Sequence, residues 1–157
     1  MELRLYLETT IPSYLTSRPS RDLIVAGRQQ ITRDWWERRR RAFQLYISQL
    51  VIDEASAGDP AAARDRLKVV QDLPLLDITI EVAELASSIL ASGKIPRKAA
   101  ADAAHIAIAA VHEMDFLVTW NCVHIANATI AKSLASICRE HDCECPVICT
   151  PEELMGE

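Results

Sequence analysis

Four oxygen-bearing side chains, Glu8, Glu54, Asp102 and Asn121, are spread through the chain so that each lies close to a short apolar run of strand length. Glu8 closes the run Arg4 to Leu7, and Glu54 sits in a helix after the run Ala42 to Ile47. Asp102 opens an Ala-rich helix leading into Phe116 to Thr119, and Asn121 comes just after that fourth run. In parallel strands, Glu8, Glu54 and Asn121 would stand at or beyond the carboxyl ends, with Asp102 approaching the same rim from the start of its helix. Carboxylates gathered at one point repel and raise one another's pKa, so they are stable as anions only around a cation. Oxygen ligands without a required His or Cys suit Mg²⁺ or Mn²⁺, which keep several waters and reach a substrate phosphate. The matching chemistry is phosphodiester hydrolysis, with the metal generating hydroxide near neutral pH and neutralising charge in the transition state.

Other residues support this set. Thr9 and Thr119 flank it as hydroxyl donors, and His105 follows Asp102 by one helical turn on the same side. His105 can orient a water, contact substrate or hydrogen-bond into the rim; His124 and Asn127 can line the cleft or cap the next helix. Asp102 alone fits equally well as a first-turn acid stabilised by the helix dipole. Asp53 is excluded, because one helical step turns it about 100° from Glu54, and Asp115 falls at the wrong end of its strand.

The elements that must position these groups alternate. The first strand is followed by a turn at Thr9 to Ser13 and a long helix from Leu23 to Arg41, capped by Ser20 or Asp22 and carrying Trp35 and Trp36. Two adjacent tryptophans cannot both face one core, so one is expected inside and the other free for a subunit contact or base stacking. After the second strand, Ser48 is a natural N-cap for Gln49 to Ala57, and Asp59-Pro60 restarts a helix to about Asp72. A third strand at Leu75 to Ile78 precedes a helix capped by Thr79 and stopped at Gly93. In the Ala-rich helix, Ala100, Ala104, Ala107, Val111 and Met114 mark the core face. A last helix from Ile125 to His141, a strand at Val147 to Cys149 and a capping box at Thr150-Pro151-Glu152-Glu153 complete the chain. Short apolar strands alternating with helices predict an α/β fold with a central, mostly parallel sheet covered on both faces.

With 157 residues, 50% hydrophobic and 25% charged, the chain reads as one globular domain over residues 1–157. It has no apolar run long enough to span a bilayer and no signal-peptide pattern, so no membrane association and a cytoplasmic location are expected. The five cysteines are odd in number and crowded into the last quarter, unlike a secreted disulfide framework. Cys138, His141, Cys143, Cys145 and Cys149 suggest zinc only weakly, since Cys-x-Cys and a three-residue gap is not a usual finger spacing. The net charge of −5 argues against strong sequence-independent attraction to nucleic acid, and the run Arg38 to Arg41 is most simply a solvated helix face. No Gly-x-Ser-x-Gly elbow and no Gly-rich phosphate loop is present, which sets aside serine hydrolases and nucleotide-binding enzymes.

Several segments, in order, carry a resemblance: Tyr6 to Leu15 (YLETTIPSYL), Ile31 to Trp36 (ITRDWW), Asp102 to Ala107 (DAAHIA), Thr119 to Asn127 (TWNCVHIAN) and Cys149 to Leu154 (CTPEEL). Together they resemble PIN-domain proteins of the VapC-like toxin kind over nearly the whole chain. The resemblance implies a three-layer α/β/α fold and a Mg²⁺- or Mn²⁺-dependent endoribonuclease, the toxin half of a type II toxin–antitoxin pair. By that likeness Glu8, Glu54 and Asp102 are the metal ligands, with Asn121 as a water or metal contact. RNA is then the substrate, a small cognate antitoxin the partner, and a homodimer the expected assembly, anchored by Trp35 or Trp36. Two positions depart from the pattern: the first acid is usually Asp where this chain has Glu8, and Asn121 stands where Asp is often found. Together they remove one negative charge, which weakens the case for a second metal. They leave open a catalytically weak module that acts by binding RNA or an antitoxin.

Overall fold

The structure, a computed structural model, describes residues 2–156, which form five strands and seven α-helices. In chain order these are β1 (Leu3–Leu7), α1 (Thr10–Thr16), α2 (Leu23–Arg39), β2 (Phe43–Ser48), α3 (Gln49–Ala55), α4 (Pro60–Val70), β3 (Leu75–Leu76), α5 (Ile80–Ala91), α6 (Ala100–Val111), β4 (Phe116–Val118), α7 (Ala131–Glu140) and β5 (Val147–Cys149). The strands make one parallel sheet in the order β3-β2-β1-β4-β5. β1 is central, with Leu5 aligned on Leu45 of β2 and Phe116 of β4. Its Leu5, Tyr6 and Leu7 are fully buried, as a strand covered on both faces requires.

From β1 the chain steps outward through β2 to β3, then crosses back to β4 and β5 on the other side. Right-handed crossovers in the two directions put α1 to α4 on one face and α5 to α7 on the other, giving the expected three-layer α/β/α sandwich. The strand order reverses between β1 and β4, so the crevice at their carboxyl ends is where a ligand site belongs.

The local differences from the sequence reading have identifiable causes. Thr9 to Ser13 is not a turn: Thr10 opens helix α1, and Pro12 is tolerated because first-turn N–H groups need no helical acceptor. Asp22, not Ser20, caps α2, accepting from the Ile24 and Val25 N–H groups. The last helix begins at Ala131 after a short 3-10 turn at Ala128–Ile130, because Asn121 and Asn127 close turns across the preceding segment. On α6 the forecast stripe is only partly inside: Ala107 and Met114 are buried, Ala104 and Val111 are half-buried and Ala100 is exposed. The buried residues are Ala103 and the unbroken run His105 to Ala110, since α6 is held by the sheet on one side and by α5 on another. Trp35 is the inward tryptophan, fully buried beside Phe43, while Trp36 is half-buried with the Arg40 guanidinium 4.9 Å from its ring centre.

Candidate metal centre

Glu8 is the first residue past β1, and Thr119 the first past β4, so the sheet register alone sets them side by side at the switch point. Thr119 donates its hydroxyl to Glu8 Oε1 at 2.6 Å. The same oxygen accepts from the Thr10 hydroxyl at 2.6 Å and the Thr10 N–H at 3.1 Å. Glu8 is thus held with 4% of its surface exposed, one carboxylate oxygen taking three donors. Thr10 also accepts from the Trp120 N–H at 2.8 Å, and Thr119 from the Asn121 N–H at 2.9 Å, so the two hydroxyls knit the starts of α1 and the post-β4 turn around one acid.

Glu54 comes from the last turn of α3, the helix that directly follows β2. Its Oε1 accepts from the Thr9 hydroxyl at 2.6 Å and pairs with His105 Nε2 at 2.6 Å. Burial works to raise the Glu54 pKa, but the hydrogen bond and charge of His105 and the hydroxyl of Thr9 outweigh it and hold the carboxyl below its usual range. Behind His105 the polar chain continues inward: Nδ1 lies 2.7 Å from the Tyr6 hydroxyl, which lies 2.7 Å from the Ser48 hydroxyl. All three residues are fully buried. Burial, against the opposing hydrogen bond from Ser48, pushes the Tyr6 phenol far above its usual value, and the charges of Glu8 and Glu54 add to the rise.

One ligand atom from each of Glu8, Glu54 and His105 falls within 4.8 Å of the others, the one such group among the described residues. Both ring nitrogens of His105 already have partners, so its role in this arrangement is to orient Glu54. The two glutamates differ: each has Oε1 saturated by protein donors, and no described residue hydrogen-bonds to either Oε2. Two fixed carboxylates with one free oxygen apiece fit a hard divalent cation that takes few protein ligands and keeps its waters.

Asp102 is the third ligand that the resemblance implies. It lies in the first turn of α6, half-buried, and its carboxylate is outside the cluster that forms around Glu8 and Glu54. His105, expected to meet water or substrate as one of its options, is inaccessible to either. Asn121 reaches the rim, but its Oδ1 accepts from the His124 N–H at 3.0 Å and so closes a turn. His124 is half-buried in that turn. Thr9 and Thr119 contribute the hydroxyls expected of them, on different acids. Asp53 and Asp115 are exposed and turned away as expected, Asp115 accepting from the Arg4 N–H beneath the sheet.

Three residues of the network were not singled out for the site. Thr10 was hidden within an apparent turn. Tyr6 looked like one apolar strand position among several. Ser48 occupies the N-cap position of α3 but makes no cap bond, its hydroxyl being spent on Tyr6. The weak zinc suggestion finds no support: among the described residues Cys138, His141, Cys143, Cys145 and Cys149 supply no metal-sized group of three, and His141 Nε2 lies 2.8 Å from the Ser88 hydroxyl. Within the basic run, Arg39 and Arg40 lie over the Phe43 and Trp36 rings, and Arg40 also donates to the Trp36 carbonyl. A different arginine lies beside the residue that follows Thr119: Arg28 is 5.2 Å from the ring centre of Trp120, which also stacks on Tyr14.

Comparison with known protein families, characterised proteins and solved structures gives no match for this chain. Among the described residues, no helix is long and apolar enough to cross a membrane.

Proposed function

We propose that the chain is a Mg²⁺- or Mn²⁺-dependent endoribonuclease of the PIN-domain, VapC-like kind, acting as the toxin of a toxin–antitoxin pair. The observation that carries this reading is the pair Glu8 and Glu54 at the switch point, each clamped through one oxygen and open at the other. Bound there, such a cation lowers the pKa of water and offsets charge building on a phosphodiester. Glu8 and Glu54 would hold it, with Thr9, Thr10 and Thr119 bonded to their carboxylates. Asp102, half-buried in the first turn of α6, would accept from the ion's water shell or join the ligands. Arg28 is the cation available to an approaching phosphate backbone. A small antitoxin would silence the site by covering this rim.

Incubating total RNA with the protein across a Mg²⁺ or Mn²⁺ series tests the reading, with EDTA and the Glu8→Gln and Glu54→Gln variants alongside. Cleavage should need the ion and vanish in both variants; cleavage that survives chelation would overturn it. Co-expression with the product of a small neighbouring gene should yield a complex without activity.

One observation favours the weaker alternative, a module that binds RNA or an antitoxin and cuts poorly. At the position where a further acid is often found, Asn121 is neutral and its oxygen is engaged in a turn. RNA retention on a filter with no cleavage at any ion concentration would select that alternative.

A further inference from the structure

We propose that Tyr6 is a positioning residue for this site, acting through His105 on Glu54; the proposal rests on the cation reading above. A carboxylate oxygen can only accept, so in the Glu54 to His105 contact of 2.6 Å the hydrogen is on Nε2. With a neutral imidazole Nδ1 has only a lone pair and the Tyr6 hydroxyl facing it at 2.7 Å donates to it; with an imidazolium Nδ1–H donates to the phenol oxygen instead. The phenol oxygen in turn accepts from Ser48 at 2.7 Å. With a neutral imidazole every hydrogen in the row Ser48, Tyr6, His105, Glu54 points toward the acid, and in either state the Tyr6 hydroxyl is the partner that holds Nδ1.

The row joins three elements that the cation site needs in register. Ser48 ends β2, Tyr6 is on β1, and His105 is on α6. Tyr6 is on β1 and Glu8 directly follows that strand, so one segment carries a ligand and the anchor that orients the other ligand. Without the phenol, the imidazole loses the partner that fixes its tautomer and ring angle, and Glu54 Oε1 loses a directed donor. The carboxylate of Glu54 would then be held less firmly beside Glu8. Partners of this kind behind a ligand typically change metal affinity by about 10- to 100-fold.

The test is Mn²⁺ binding, followed by the free-ion magnetic resonance signal, in wild type, Tyr6→Phe, Ser48→Ala, His105→Gln and the Tyr6→Phe/His105→Gln double variant. Tyr6→Phe keeps the ring in the core and should weaken Mn²⁺ binding by about tenfold, with kcat of RNA cleavage falling and KM little changed. Ser48→Ala should show a smaller loss in the same direction. Gln at 105 can donate to Glu54 without a second ring nitrogen, so in that background Tyr6→Phe should cost little further affinity. Equal losses in both backgrounds, or wild-type Mn²⁺ affinity in Tyr6→Phe, would overturn the proposal. If Tyr6→Phe does not fold by circular dichroism, unchanged Mn²⁺ affinity in Ser48→Ala overturns it instead. Spin-echo spectra of the Mn²⁺-loaded protein should show no coupled nitrogen; a nitrogen signal lost in His105→Gln would make His105 a ligand and also overturn it. Wild-type protein that takes up no Mn²⁺ would sink the cation reading itself, a result distinct from all of these.

Discussion

At the scale of single residues, the hydroxyl groups around Glu8 and Glu54 matter as much as the acids. Thr119 is fully buried, donates to Glu8 and accepts from the Asn121 N–H. Thr119→Val preserves shape while leaving a buried acceptor and a donor short of partners, so urea unfolding should report a loss of about 1–3 kcal/mol. The depressed pKa of Glu54 gives a signed expectation for the metal-free protein. The folded state binds that proton more weakly than the unfolded chain, so the stabilisation is complete above the ordinary Glu value, about 4.3, and is lost as pH falls through the lower folded value. The stability advantage of wild type over Glu54→Gln should therefore shrink on acidification below about pH 5. Urea curves for both proteins at stepped pH measure it; an advantage that grows as the solution is acidified would contradict the pairing with His105 and Thr9.

At the scale of elements, α6 is both scaffold and anchor. It places His105 behind Glu54 and runs from Ala103 to Ala110 almost entirely buried. Small side chains let it lie between the sheet and α5, so Ala107→Leu should overpack that layer and cost about 1–3 kcal/mol, read as a lower urea midpoint with little change in slope. The turn after β4 carries a different expectation. Trp120 packs between Tyr14 and the guanidinium of Arg28, and its indole N–H donates to the Thr32 hydroxyl at 2.8 Å. Under the nuclease reading, Arg28→Gln should raise KM for RNA with little change in kcat, because a phosphate contact made equally in ground and transition states affects binding alone. A fall in kcat with KM unchanged would assign Arg28 to the chemical step.

At the scale of the whole molecule, the cation and the fold are linked. A cation that binds only the folded state at about 100 times its dissociation constant adds about 2.7 kcal/mol, which for a chain of this size is a rise in Tm of about 5–10 °C. Mn²⁺ should produce that rise in wild type and EDTA should reverse it. The rise should vanish in Glu8→Gln and Glu54→Gln but survive in part in Asp102→Asn, whose carboxylate stands outside the cluster. Full loss in Asp102→Asn would restore it to the inner ligand set. Assembly is a separate matter: Trp35 is in the core, so a homodimer would have to be anchored elsewhere than on that ring.

The sequence by itself determined the class of fold, because short apolar runs alternating with helices can bury both faces only as a parallel sheet between helical layers. It also determined the candidate acids Glu8 and Glu54, because placement after a strand in such a sheet is a topological fact that periodicity reveals. Cap chemistry was equally legible where it is local: Asp59-Pro60, Thr79 and the Thr150 capping box all stand where their residue types put them. What only the tertiary structure decided is which of several nearby polar groups meet. Tyr6, Ser48 and His105 are separated by 42 and 99 residues along the chain yet share one buried row of hydrogen bonds. No local pattern encodes that meeting, since Ser48 reads as a cap and Tyr6 as a core aromatic.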